Sequence, residues 1–217
     1  MIVTRKKPYE EILKALGSAE KIFIIGCGDC ATTCKTGGEK EVLEMKSMLE
    51  AGGKSVKGWA VPDSPCIASQ VKMQFARNKK AIDETDAFLV LSCGLGVQSV
   101  LENDRNKRPV YIGCDTMFGS IVDATGYGFF ERCAMCGECV LNATGGICPV
   151  TRCAKGLLNG PCGGSNKGKC EVDKNKDCAW ILIYNRMKDL KKLDSLKIVK
   201  PAKDYSKINR PREIVIS

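Results

Sequence analysis

Fourteen cysteines and no histidine in 217 residues restrict what this chain can be more than any other property of its sequence. The cysteines come in groups with short spacings, as they do in metal sites that use sulfur ligands. Because imidazole is absent, thiolates alone would hold a bound metal, which leaves iron–sulfur clusters and four-thiolate zinc as candidates. The same absence removes the most common general base from any catalytic scheme. If the metals are redox-active clusters, we expect no catalytic residue in the organic sense.

Hydropathy and charge narrow the class of protein further. No stretch approaches the roughly 20 apolar residues of a membrane span, so we expect a cytoplasmic protein. In that reducing compartment, C-x2-C pairs favour metal binding over disulfides.

The formal net charge of +9 suggests a nucleic-acid partner, but it counts every cysteine as neutral. Each occupied four-thiolate site adds about −2, so two or three sites would leave about +3 to +5. With only 6% aromatic residues to stack on bases, we expect no nucleic-acid partner.

Residues 1–128 alternate helical and strand patterns. Residues 22–25 form a short, continuous apolar run, which is typical of a strand buried on both faces. The sequence Thr36-Gly37-Gly38-Glu39 has the form of a capping box that opens a helix. Further strands are predicted at 56–61, 87–91 and 110–112, and helices at 9–16, 39–52 and 67–75. This alternation predicts an α/β fold with a Rossmann-like or flavodoxin-like open parallel sheet.

Four cysteines fall shortly after the predicted strands of this sheet. They are Cys27, Cys66, Cys93 and Cys114. In doubly wound sheets the ligand crevice lies outside the carboxyl ends of the strands, so these residues are expected to meet at one edge. We therefore predict a cofactor at that edge.

The first cysteine group, Cys27-x2-Cys30-x3-Cys34, suits three corners of one [4Fe-4S] cluster. Cys66 and Cys93 are the alternative donors of the fourth ligand. Backbone N–H groups of glycines beside these cysteines are expected to bind the cofactor; these glycines are Gly28, Gly37, Gly38 and Gly94. A rival interpretation is a dinucleotide loop at Gly26-x-Gly28-x-x-Ala31, but cysteines fill its spacer positions and delay the helix.

The second group, Cys133-x2-Cys136-x2-Cys139, has the spacing of the first three ligands of a bacterial ferredoxin run. The Cys-Pro pair that follows is displaced, so the ferredoxin fold is not implied, and Cys148 and Cys153 remain alternative fourth ligands. The remaining cysteines suffice for a further four-thiolate centre, either zinc or a cluster; they include Cys162, Cys170 and Cys178.

Composition divides the chain into three predicted regions. An α/β domain at 1–128 precedes a small Cys-rich domain at 129–180, which is rich in glycine and is expected to be ordered by metal rather than by burial. Residues 181–217 are expected to form an amphipathic helix followed by an extended tail.

Five motifs together resemble the small subunit of the methylenetetrahydrofolate reductase of acetogens and related anaerobes. They occur in order over residues 20–185: Cys27-Gly28-Asp29-Cys30-Ala31-Thr32-Thr33-Cys34 with Gly37-Gly38-Glu39, Ser92-Cys93-Gly94-Leu95-Gly96-Val97-Gln98, Cys133-Ala134-Met135-Cys136-Gly137-Glu138-Cys139, Thr144-Gly145-Gly146-Ile147-Cys148-Pro149, and Leu158-Asn159-Gly160-Pro161-Cys162-Gly163-Gly164. Cys114 lies outside all of them.

The resemblance implies an electron-transfer role in one-carbon metabolism. In that family a TIM-barrel flavoprotein reduces methylenetetrahydrofolate, and the Cys-rich subunit, described as zinc-finger-like, holds iron–sulfur clusters. It implies two or three [4Fe-4S] clusters here, with zinc as the alternative for the last set, and a flavin, FMN or FAD, in the partner. Electrons would come from ferredoxin or another redox module. The alternatives are a zinc-stabilised binding module and an oxidoreductase with its own flavin.

Overall fold

A four-stranded parallel sheet organises the first part of the chain in the computed structural model, which describes residues 1–216. Its strands are β2 (Lys21–Ile25), β3 (Ser55–Ala60), β4 (Ala87–Val90) and β5 (Val110–Ile112), in the order β3-β2-β4-β5. All neighbouring pairs are parallel. The predicted α/β class with an open parallel sheet is therefore confirmed, and the strand order reverses between β2 and β4, as at a flavodoxin-like switch point.

Helices cover both faces of this sheet. They are α1 (Tyr9–Leu16), α2 (Cys30–Thr33), α3 (Glu39–Ala51), α4 (Ala68–Arg77), α5 (Lys79–Asp83) and α6 (Gly94–Asn103). Ile22 and Ile24 of β2 pack in a buried cluster with residues of α1 and α3, whereas Phe23 and Ile25 pack with residues of α4 and α6. Burial on both faces explains why this strand is apolar at consecutive positions.

The beginning of α3 differs from the sequence prediction. The N-cap residue is Gly38, and its N–H donates to a carboxylate oxygen of Glu41 at 3.0 Å, so the box predicted from Thr36 to Glu39 is wrong by two residues. The Thr36 side chain is buried instead and pairs with the Thr4 hydroxyl at 2.6 Å. Thr4 belongs to β1 (Ile2–Lys6), a strand that the sequence analysis missed.

The chain divides into two compact units, Met1–Phe118 and Gly119–Ser217. Strand β6 (Cys114–Val122) begins in the first and ends in the second, and a second sheet has the order β1-β6-β7, where β7 is Phe129–Glu131. The three-region division proposed from composition stays a prediction. No helix among residues 1–216 combines the length and apolar character needed to cross a bilayer.

The second unit has little regular structure before its main helix. Its helices are α7 (Pro149–Arg152) and α8 (Ala179–Asp189), with short 3-10 turns at Leu141–Ala143, Leu193–Lys197 and Tyr205–Ile208. The predicted C-terminal helix is confirmed as α8, whose Trp180, Ile183 and Met187 form a small buried cluster with Cys178. The extended tail was predicted from residue 200 onward, and this prediction is wrong at residues 205–208, which form a 3-10 turn.

Candidate metal centres

The first cysteine group lies at the switch point of the parallel sheet. Cys27 follows β2 by two residues, and Cys93 is the N-cap of α6 after β4; their exposed fractions are 6% and 8%. Cys66 follows β3, the neighbour of β2 on the other side, and is exposed. Because parallel strands present their carboxyl ends at one edge, the fold brings together cysteines that are up to 66 residues apart in sequence.

Electrostatics show which of these thiols influence one another. Burial raises the pKa of Cys66, and the negative charges of Cys93 and Cys27 raise it further. Burial also raises the pKa of Cys30. A hydrogen bond from the Ile2 N–H, whose nitrogen lies 3.4 Å from the sulfur, lowers this pKa, whereas the negative charge of Cys27 raises it. The negative charge of Cys27 thus contributes to raising the pKa of both Cys30 and Cys66.

Cys34 lies farther along the same loop, toward the start of the chain. Its sulfur is 3.8 Å from the Ile2 carbonyl oxygen, so the backbone of one β1 residue contacts both Cys30 and Cys34. Sequence reasoning missed Ile2, because the strand that carries it shows no clear apolar pattern.

The glycines around this group make close backbone contacts. A Cβ on Gly37 would lie 1.8 Å from the Leu91 carbonyl oxygen, and one on Gly26 would lie 2.4 Å from the Gly37 carbonyl oxygen. The Cys27 N–H donates to that Gly37 oxygen at 2.8 Å. The space beside Gly26 and Gly28, where a dinucleotide loop would admit its pyrophosphate, is filled by the chain's own backbone, including Asp63 at 3.1 Å from a Cβ on Gly28.

Backbone N–H groups that were predicted to bind a cofactor already have acceptors within the first unit. The N–H of Gly28 donates to Pro62, that of Gly37 to Ala31, that of Gly38 to Glu41 and that of Gly94 to the Thr116 hydroxyl. These bonds fix the loops that carry the cysteines. The role predicted for the four glycines in binding a cofactor stays a prediction, whereas their role in shaping the loop is evident.

Four cysteines of the second unit line one cavity of about 210 Å³. They are Cys133, Cys136, Cys139 and Cys148, and Lys203 lines the cavity with them. The loop turns sharply at Met135 and Gly137, which both have positive φ values, 49° and 75°. Glycine adopts such a value without strain, and the turns direct successive cysteines toward the same space.

A basic side chain accompanies this cavity. Lys203 is only 8% exposed, and its ammonium donates to the Cys136 sulfur at 2.9 Å and to the Glu138 carbonyl oxygen. This hydrogen bond lowers the pKa of the Cys136 thiol. Burial alone would lower the pKa of Lys203, but the bond to Cys136 and the nearby negative charges leave it raised.

The other four cysteines of the second unit line a separate pocket of about 20 Å³. They are Cys153, Cys162, Cys170 and Cys178. Backbone hydrogen bonds hold two of these cysteines in adjacent turns. The Cys170 N–H donates to the Lys176 carbonyl oxygen at 2.9 Å, and the Cys178 N–H donates to the Gly168 carbonyl oxygen at 2.8 Å. Glu171 also lines this pocket, with a carboxylate oxygen 3.3 Å from the Cys162 sulfur.

Helix α7 separates the two sets, because Cys148 is its N-cap and Cys153 its C-cap. The sequence left both residues as alternatives for closing the ferredoxin-like group; the structure places Cys148 at the larger cavity and Cys153 at the smaller pocket. Four residues of helix thus direct two nearby cysteines to different sites.

The four cysteines in each lining suit the thiolate-bound metals expected from the sequence, and the two spaces differ in volume. Among residues 1–216, no three Cys, Asp or Glu side chains converge closely enough to hold one metal ion. A [4Fe-4S] cluster attaches each thiolate to a different iron and so needs wider spacing than one ion does. The larger cavity, of about 210 Å³, has room for more than a single ion. The smaller pocket has about the volume of one water-sized sphere, and its side chains would have to rotate inward to hold an ion.

Cys114 differs from the other cysteines. It is fully buried in the apolar cluster between the sheet and α1 and α3, and its sulfur lies 3.6 Å from the Thr36 carbonyl oxygen. Burial raises the pKa of its thiol to about 12. A thiol that keeps its proton in an apolar core is a packing residue, in agreement with its position outside the sequence motifs.

One family model matches the chain, over residues 111–206, and it is described as methylene-tetrahydrofolate reductase C terminal. The matched segment contains both four-cysteine sets of the second unit and Lys203. No curated protein matches the chain, and no solved structure does. The family match supports a protein related to methylenetetrahydrofolate reductase.

Proposed function

We propose that this chain is the iron–sulfur electron-transfer subunit of a methylenetetrahydrofolate reductase. It would pass electrons from a donor such as reduced ferredoxin to a flavin, FMN or FAD, in a TIM-barrel catalytic subunit. That flavin would use two electrons and two protons to reduce 5,10-methylenetetrahydrofolate to 5-methyltetrahydrofolate. The observation that carries the proposal is the cavity lined by four cysteines inside the segment matched by the reductase family model.

The proposed metals follow from the volumes and the donors. A [4Fe-4S] cluster in the larger cavity would take the ligands Cys133, Cys136, Cys139 and Cys148. The smaller pocket, with its four cysteines, is proposed to hold zinc, which would act as a structural ion because four protein ligands leave no open position. These two assignments account for the eight cysteines of the second unit.

A further cluster is proposed at the switch point of the sheet. Cys27, Cys30 and Cys34 would supply three ligands from one loop. The negative charges of Cys93 and Cys27 raise the pKa of Cys66, which supports a fourth ligand from a neighbouring strand, either Cys66 or Cys93. Raised thiol pKa values at Cys30 and Cys66 mean that binding there would release protons.

The chain's own residues would do three things in this function. Thiolates from separate loops hold the metal, the backbone around them limits water, and nearby charges set the reduction potential. When bound, the clusters supply one-electron chemistry, which needs no general acid or base. The filled space beside Gly26 and Gly28 favours a flavin in the partner over one bound by this chain.

The proposal is tested by metal and sulfide analysis of anaerobically purified protein. We expect iron, acid-labile sulfide, about one zinc per chain, and a broad visible absorbance that bleaches on reduction. Cys136→Ala should lose part of the iron and slow donor-dependent flavin reduction in the reconstituted complex, whereas the matched control Cys114→Ala should lose neither. A colourless protein that contains zinc without iron would contradict the electron-transfer role and favour a zinc-stabilised binding module.

A further inference from the structure

Lys203 is an unusual lysine because its charge is buried next to sulfur. It belongs to the tail beyond α8, yet only 8% of it is exposed. The acceptors of its ammonium are the Cys136 sulfur, at 2.9 Å, and the Glu138 carbonyl oxygen. Burying an ammonium is costly unless its surroundings compensate for the lost water, so a strongly negative group in the adjoining cavity would explain its position.

The tail holds Lys203 in place through several contacts with the Cys133–Cys139 loop. The Asp204 N–H donates to a Glu138 carboxylate oxygen at 2.8 Å, and the Arg212 guanidinium donates to the Met135 carbonyl oxygen at 2.8 Å. At Gly137 the tail passes so close that an added Cβ would lie 3.0 Å from the Cβ of Lys207. The ammonium is therefore fixed relative to the cysteines and does not sample solvent as a surface lysine does.

A fixed cation beside a cluster has a definite electrical effect. Four thiolates around an oxidised cubane carry a net charge of about −2, and reduction adds one electron without making or breaking a bond. The reduced form is thus more negative, and a nearby positive charge stabilises it more than the oxidised form. The low exposure of Lys203 limits screening by water and salt.

We propose that Lys203 is a positioning residue that raises the reduction potential of the cluster held by Cys133, Cys136, Cys139 and Cys148. The proposal rests on the proposed function, since it requires a cluster in this cavity. The electron comes from a reduced one-electron carrier of low potential, which is itself oxidised in the transfer. The reduction potential of this cluster would therefore depend on whether the tail is bound to the Cys133–Cys139 loop.

The test is a redox titration of the anaerobically reconstituted full chain, followed by the paramagnetic signal that Cys136→Ala removes. Lys203→Met should lower the equilibrium constant for reduction at least tenfold, which is about 59 mV for one electron. Lys203→Arg, which keeps the charge, should restore most of that shift. Lys174→Met, at an exposed lysine of the same unit, is the matched control and should leave the potential unchanged.

Iron content separates failure of this inference from failure of the proposed function. Wild-type protein without iron would refute the function. Iron-loaded Lys203→Met with the wild-type potential would refute the inference alone. If Lys203→Met loses its iron, Lys203→Gln takes its place in the titration, because glutamine keeps an N–H donor without the charge. Loss of iron from both variants would also overturn the inference, since Lys203 would then hold the loop rather than set the potential.

Discussion

Replacement of Gly37 by alanine should destabilise the first unit, because this glycine is where the first cysteine loop packs against the sheet. The added Cβ would lie 1.8 Å from the Leu91 carbonyl oxygen, about 1.6 Å short of the 3.4 Å at which ordinary contact begins. Leu91 cannot retreat easily, since it is fully buried and its N–H donates to Ile25 at 2.8 Å. The loop must therefore move away from the end of β4.

The magnitude follows from what the loop loses by moving. Overpacking a close-packed site costs about 1–3 kcal/mol. Movement also strains or breaks two buried hydrogen bonds, Cys27 N–H to Gly37 O at 2.8 Å and Gly37 N–H to Ala31 O at 3.2 Å, each of which contributes about 1 kcal/mol. We therefore expect the free energy of unfolding to fall by about 3–5 kcal/mol, a large part of the total for a single domain.

Urea denaturation followed by far-ultraviolet circular dichroism measures this loss. With a slope of about 2 kcal/mol per molar, the midpoint of the first unit should fall by about 1.5–2.5 M. Gly94→Ala is the matched control: its Cβ would lie 3.5 Å from the Thr116 hydroxyl oxygen, within ordinary contact, at the first residue of α6. That variant should keep its stability or gain up to about 1 kcal/mol. Equal midpoints for the two variants would refute the reasoning.

The remaining predictions concern residues outside the proposed ligand sets. Cys114→Ala removes one buried sulfur and should lower the free energy of unfolding by about 0.5–1.5 kcal/mol in urea without loss of iron; loss of iron would make Cys114 a ligand. Asp104→Ala leaves the half-buried Arg108, whose side chain is 10% exposed, without its carboxylate partner at 2.8 Å, and thermal melting should show a loss of about 3 kcal/mol. Trp180→Phe removes the indole N–H that donates to the Leu157 carbonyl oxygen at 2.9 Å. It should destabilise the second unit by about 1–2 kcal/mol, and unchanged hydrogen exchange around α8 would contradict this.

The parallel sheet was predictable because its buried strands appear in the sequence as short runs of apolar residues. The two central strands, β2 and β4, lie between two layers of helices, so they are apolar at consecutive positions, as in residues 22–25. Strand β1 could not be found in this way, because it is charged and its partner β6 lies more than 100 residues away. Pairing over such a distance leaves no local pattern.

The start of α3 shows how tertiary contacts override a local motif. Thr36 is a good capping residue by type, and Glu39 stands at the expected spacing. In the structure the Thr36 hydroxyl forms a hydrogen bond with the hydroxyl of Thr4, a residue of β1, the strand that the sequence analysis missed. The helix therefore begins after Gly38, whose N–H is capped by Glu41.

The cysteine sets were also predictable only in part: spacing indicated the cysteines that lie close together in sequence but not the ligands farther along the chain. Spacing alone grouped Cys133, Cys136 and Cys139, since short turns bring them together. It left Cys148 and Cys153 as alternatives, because their separation depends on whether the residues between them are helical. The formation of α7 settles which cavity each one lines.

The proposed centres have the same type of ligand but differ in the burial and charge around their cysteines. These surroundings could not be predicted from the sequence. Near the sheet, burial is the largest influence on the sulfurs of Cys30 and Cys66; it raises the pKa of both thiols and so disfavours negative charge on them. In the second unit, Cys136 accepts a hydrogen bond from a buried ammonium that lies 67 residues away in the chain. The cysteines of the two proposed sites thus lie in different electrical environments, because only the second has a buried ammonium beside a sulfur. If both sites hold clusters, we expect the cluster beside Lys203 to be the easier one to reduce.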